Sequence, residues 1–126
     1  MRTPGRRRWV IAEGRIPESS TGADAQAVAQ DTMCVLNAGP RDAHLRMTVF
    51  FADREPAGPY YLLVPARRTR HVHFDELAEP EPLPRGVPFA STIDSDAPIV
   101  VQHTRLEPRQ PDGPAMMSVG AFPVAP

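Results

Sequence analysis

Residues 98–110, PIVVQHTRLEPRQ, begin as core and end as chemistry. Ile99, Val100 and Val101 are the β-branched residues of a buried strand, and Gln102, His103, Thr104 and Arg105 follow with no turn residue between them. Alternate residues of a strand point to opposite faces. Ile99, Val101, His103 and Arg105 therefore share one face, and Val100, Gln102, Thr104 and Leu106 share the other. The first face runs from apolar to basic. The strand is expected to leave the core and enter a region where it meets water, a partner or a ligand.

The same signature recurs along the chain. Runs of strand composition occupy 8–14, 32–39, 43–53, 59–66, 69–77, 88–95, 98–106 and 115–124. Turn chemistry separates them: Asn37-Ala38-Gly39-Pro40, Pro56-Ala57-Gly58-Pro59, the prolines from Pro80 to Pro84, and Pro111-Asp112-Gly113-Pro114. About eight short strands punctuated in this way predict an all-β fold, an antiparallel β-sandwich of jelly-roll type. The stretch 22–32 has the composition of a helix or a loop, and 78–88, spaced by prolines, reads as an extended loop. Residues 1–8, with four arginines, read as a flexible basic arm ahead of one domain over 9–124.

Length and composition bound the function. A chain of 126 residues fits one domain and can bury a core of moderate size. Its net charge of -1 selects no partner class. Pro 16 and Gly 8 make about a fifth of the chain, short of the roughly 25–30% typical of disordered chains. Cys34 is the single cysteine, so no internal disulfide forms and a reducing cytoplasm is the expected location. Its flank, MCVLN, reads as a core strand with an inert buried thiol. Arg6, Arg7 and Arg8 precede only four apolar residues, too few for an export signal, and no run is long enough for a membrane helix.

Face parity picks out the candidate site. In WVIAEG, Trp9 and Ile11 share a face with Glu13; in MCVLN, Met33 and Val35 share a face with Asn37. Each strand starts apolar and ends polar, as 99–105 does. Side by side, these ends would gather at one mouth of the sandwich. In 69–74, Val72 and Phe74 read as core, and Thr69, His71 and His73 take the opposite face. His71 and His73 with His103 and Glu13 are of the types zinc takes, yet strand His-X-His pairs commonly face solvent, and no metal is expected. Ser91 or Ser95 with an Asp and a His would make a hydrolytic set, but no nucleophile elbow is present. No glycine loop for phosphate occurs, and no cofactor is expected. Polar strand ends also suit an inter-subunit hydrogen-bond network.

The chain resembles the sensory rhodopsin transducer family. The segments that carry the likeness are WVIAEG, CVLNAG, DAHLRMTVFFADREPAGPYYLLVPARRTRHVHF, FASTIDSDAPIVVQHTRL and the RQ that follows, from Trp9 to Gln110. The resemblance implies a small cytoplasmic all-β protein related to carbohydrate-binding sandwiches. It also implies a homo-oligomer, a tetramer, that acts as a transducer for a membrane light sensor or as a small-molecule-binding domain. The polar positions it carries over are Glu13, Asn37, Arg67, Arg68, His71, Gln102, His103 and Arg105. The expected function is non-enzymatic binding of a small polar ligand, sugar-like or carboxylate-bearing, coupled to signalling. The alternatives are an adaptor that meets a membrane sensory rhodopsin through its surface, and a weak DNA-binding regulator, which the charge balance disfavours.

Overall fold

The computed structural model describes residues 2–16, 30–107 and 115–125. Among them, strands β1 (Arg6–Ile11), β2 (Gln30–Asn37), β3 (Ala43–Phe51), β4 (Ala57–Val64) and β5 (Arg68–His73) are followed by a single 3-10 turn at Phe74–Glu76. Then come β6 (Phe89–Glu107), β7 (Ala115–Gly120) and β8 (Phe122–Pro123). Every pairing between them is antiparallel. The fold is an all-β sandwich. The helix-or-loop stretch 22–32 falls largely outside the described residues, and Gln30, Asp31 and Thr32 open β2.

β6 is the element that makes two sheets out of one chain. Its first half, Phe89–Ser95, lies between β3 and β1, and β4 and β8 extend that sheet outward. Its second half, Val100–Glu107, lies between β2 and β7, with β5 beyond β2. Asp96, Ala97 and Pro98 form the corner. There the pairing with β1 jumps from Arg8↔Asp94 to Arg6↔Ile99. Pro98 has no N–H to give a ladder, and the Ser95 hydroxyl bonds locally to both Ala97 N and Ala97 O; both choices favour a break in pairing. Strands that switch sheets at such bends are how a sandwich turns its corners. The bend is sharp: the Phe74 ring packs edge-on against Phe89 at one end of β6 (5.2 Å) and against His103 near the other (6.0 Å).

This differs from the sequence reading in four places. The two strands expected at 88–95 and 98–106 are one strand, because a corner residue without a turn signal keeps extended backbone. The single strand expected at 115–124 is two, β7 in the second sheet and β8 in the first, with Ala121 between them. β1 begins at Arg6, so the second half of the expected arm is paired in the sheet. Cys34 is half-buried on the outer face of the second sheet, its register neighbours His71 and Gln102, since parity sends Met33 and Val35 inward.

The core follows the alternation. Ile11, Met33, Val35, Leu45, Met47, Val49, Tyr60, Val64, Ile93 and Ile99 are sealed between the sheets, each worth roughly 1.5–3 kcal/mol of burial. Asn37 is also fully buried, and every polar atom it carries is used. Its Nδ2 donates to Val64 O (3.0 Å) and Arg41 O (2.8 Å) and reaches Pro65 O at 3.3 Å, while its Oδ1 accepts from Gly39 N. It ties the β2–β3 turn to the end of β4. Asn37→Ala is expected to cost about 2–4 kcal/mol by stranding these backbone groups, read as a lowered midpoint in thermal or urea unfolding. A loss below ~1 kcal/mol would mean the turn is held by other contacts.

Candidate functional site

The end of the sandwich opposite the β6 corner brings three of the expected residues together. β6 delivers His103 and Arg105 on its inward face, as parity requires. β1 delivers Glu13 on the segment just past its last paired residue. That segment is pinned at Gly14, whose carbonyl accepts from Phe89 N (2.9 Å). A Cβ at Gly14 would overlap the Phe89 ring, so only glycine lets the chain lie this close.

His103 and Arg105 share a neighbour, Asp31, which the sequence reading missed. Its carboxylate is buried and accepts from Arg105 Nε at 2.8 Å, from Arg105 Nη2 at 3.2 Å and from the Arg15 amide at 2.9 Å. The Arg105 contact is the two-pronged fork that guanidinium and carboxylate form best. Arg105 also stands 3.7 Å from Glu13 Oε2, a carboxylate that is 65% exposed, so this outer contact is the weaker of the two. Asp31 has the same parity as Met33, Val35 and Asn37. Extending the strand two residues back would have found it, but the alanine-rich composition before it pointed to a helix or loop.

His103 is the unusual member. It is fully buried, and its Nε2 lies 3.3 Å from Asp31 Oδ2, an approach too oblique for a well-formed hydrogen bond. Among the described residues neither ring nitrogen makes a well-formed hydrogen bond, although Nε2 stays within electrostatic reach of Asp31, and the buried Ser91 hydroxyl has no partner. Buried polar atoms are nearly always satisfied, so two open nitrogens beside an ion pair call for an explanation.

The other expected residues lie elsewhere. Asn37 is at the far end of β2 from Asp31, six residues or about 20 Å away at strand rise, and serves the turn described above. Arg68 pairs with Asn37 in register, and Arg67, in the left-handed region at φ 58, donates its amide to Gly39 O; both belong to that far end. His71 and Gln102 sit on the outer face of the second sheet, on either side of Cys34. His71 and His73 therefore lie across the sheet from His103, and these three cannot share a metal. Among the described residues no cluster of three or more His, Cys, Asp or Glu could hold a metal ion, and no helix is long and apolar enough to cross a membrane.

A bent-strand β-sandwich with a buried carboxylate, a guanidinium and an unsatisfied imidazole at one end defines a class: a small all-β module whose polar chemistry is confined to strand ends. The chain belongs to the family described as Anabaena sensory rhodopsin transducer, whose model matches residues 4–123. A solved structure of the Anabaena sensory rhodopsin transducer is similar at 50% identity and a TM-score of 0.77, covering 82% of this chain and 99% of that one. The crystal structure of Thermotoga maritima 1070 shares the fold at 24% identity and a TM-score of 0.79, covering 95% of this chain and 96% of that one. No curated protein matches.

Asp31 links the site to stability. Burial alone would raise its carboxyl, but the His103 ring, the Arg105 guanidinium and the Arg15 amide together hold it down at about 2. The unfolded value is near 3.9. The folded group is the stronger acid, so its contribution is complete above about pH 4 and is lost as pH falls toward 2. The difference amounts to ~2–3 kcal/mol. Urea midpoints measured from pH 5 to pH 2 should fall more steeply in the native chain than in Asp31→Asn. Parallel profiles would show that Asp31 is not held as described.

Proposed function

We propose that this chain is a non-enzymatic signalling module of the transducer type that receives a small hydroxyl-rich ligand at the Glu13, Asp31, His103 and Arg105 end. The observation that carries the reading is the buried His103, whose Nδ1 has no hydrogen-bond partner among the described residues and whose Nε2 only approaches Asp31, beside the exposed Glu13. Glu13 would accept from a ligand hydroxyl in the exposed rim. Charge decides between the two ligand classes that the sequence left open. Glu13 and Asp31 carry two negative charges against Arg105, so a carboxylate ligand would meet repulsion, whereas a neutral sugar-like molecule would not. Arg67, Arg68, His71 and Gln102 do not lie with this group.

Arg105→Ala is a poor test, because it would leave the Asp31 carboxylate buried without its main partner, which costs roughly 3–5 kcal/mol. Glu13→Gln keeps the shape at an exposed position and is the cleaner variant. Titration of hexoses and pentoses followed by amide NMR should move resonances at residues 13–15, 31 and 103–105, with Glu13→Gln weakening the response about tenfold. That is the loss of one charged hydrogen bond of roughly 1.5 kcal/mol. No shift at these residues with any sugar at millimolar concentration would sink the reading.

A second reading concerns partners. The relative at 50% identity is a sensory rhodopsin transducer by name, and this chain is proposed to meet a membrane sensory rhodopsin through its surface, as a homotetramer in the cytoplasm. Edge strands β4, β5 and β7 pair on one side only among the described residues, and such edges are commonly covered by assembly. Light scattering at micromolar concentration is expected to give four chain masses; a monomer mass would overturn the assembly.

A further inference from the structure

The corner of β6 opens a cleft with chemistry opposite to that of the proposed ligand end. Where Ser95–Pro98 swings from one sheet to the other, the chain parts from β1 and β3 and leaves a surface cavity of 780 Å³, within the usual size range of small-molecule sites. Arg6, Arg7 and Arg8 of β1 and Arg46 of β3 line it, opposed by a single acid, Asp94. Asp94 already pairs with Arg8 (Nε to Oδ1, 2.7 Å). The side chains of Arg7 and Arg46 are exposed and make no hydrogen bond or ion pair with another described residue. A neighbouring cleft of 480 Å³ shares Gly5, Arg6, Arg7 and Pro98 and adds Arg2 and Arg41.

The backbone that carries these arginines is fixed. Gly5 has φ +121 and packs so closely on Ile99 that any Cβ there would overlap the Ile99 carbonyl. The buried Trp9 indole donates to both Arg6 O and Ile99 O at 3.0 Å, clamping the start of β1 to the corner of β6. Arginines on a backbone held this way have less chain entropy to lose on binding than those of a flexible basic tail. Four arginines against one aspartate leave about three positive charges, and planar guanidinium forks match phosphate oxygens. Pro98 and Val124 give the cleft an apolar wall.

We infer that this corner cleft binds a small phosphorylated ligand carrying two or three negative charges, through Arg7 and Arg46 with Arg6 and Arg8 beside them. The class is that of nucleotides, sugar phosphates and lipid headgroups. The site lies at the opposite end from the proposed sugar pocket and does not depend on it.

The test uses calorimetric titration of the full chain at low salt with inorganic pyrophosphate and with ADP, and co-sedimentation with vesicles containing phosphatidylglycerol. Pyrophosphate or ADP is expected to bind, and Arg7→Ala/Arg46→Ala to weaken binding at least tenfold, while Arg54→Ala, at the far end, has no effect. Asp94→Asn removes the one acid that lines the cleft and is expected to tighten binding severalfold, a gain that misfolding cannot produce. Vesicle binding that pyrophosphate displaces, and that the double variant loses, assigns the phosphate to a lipid. No binding by any of the three probes, binding unchanged in the double variant, or weaker binding by Asp94→Asn would each overturn the inference. So would affinity confined to duplex DNA that pyrophosphate does not displace, since that marks a polyanion surface and not a cleft for a small ligand.

Discussion

The bend in β6 is the constraint on which the rest of the molecule depends. A strand of 19 residues laid straight would span about 60 Å at the usual rise, far beyond the thickness of a small sandwich. Folding it at Asp96–Pro98 lets one strand serve as the centre of both sheets, with β1 and β3 flanking its first half and β2 and β7 its second. The two halves then face each other across the core. Ile93 from one and Ile99 and Val101 from the other are buried in the same apolar layer. Removing the bend would unpair both sheets at once, so the corner is where the fold is least able to tolerate change.

This geometry also separates two polar regions that would otherwise mix. The free ends of β6 meet at Phe74, and there Glu13, Asp31, His103 and Arg105 collect. The corner lies at the other end, with Asn37, the β2–β3 turn and the arginines of β1. A net charge of -1 conceals the separation. Arg2, Arg6, Arg7, Arg8, Arg41 and Arg46 surround the corner and outnumber Asp94 and Asp96, whereas Glu13, Asp31 and Glu81 lie toward the opposite end with Arg54 and Arg105. A balanced total charge therefore says little about what either end attracts; the local field does.

Much of this was legible from parity. The alternation in 99–105, 33–37 and 9–11 placed core residues and polar ends on the correct faces, because a strand buried on one side leaves no freedom to slip by one residue. Parity is a property within a strand, however, and carries no information about which ends are neighbours. Asn37 has the same pattern as His103 and lies at the opposite end, because β2 runs antiparallel to the second half of β6. The corner was illegible for a related reason. Pro98 reads as the start of a strand, and a bend that keeps extended backbone presents no Gly or Asn signal. Arg6–Arg8 were read as a tail since three like charges usually are. What holds them is Gly5 packed on Ile99 and the Trp9 indole, contacts ninety-odd positions apart along the chain.

Asp31 shows how a single buried acid can join fold and site. Its carboxylate receives the backbone of the β1 extension through Arg15 N and the side chain of β6 through Arg105, so it fastens one sheet to the other at the open end. A carboxylate so placed is costly to leave unpaired, and Arg105 is thereby fixed in position before any ligand arrives. A guanidinium committed to Asp31 has fewer donors for a ligand, so in the proposed reading recognition falls to the His103 imidazole and to the exposed carboxylate of Glu13, which Arg105 holds only at 3.7 Å. A carboxylate accepts from hydroxyls, and a neutral imidazole offers one donor and one acceptor. The ion pair at this end is therefore a frame, and at the corner Arg7 and Arg46, whose side chains have no such partner among the described residues, are the groups proposed to meet a charged ligand.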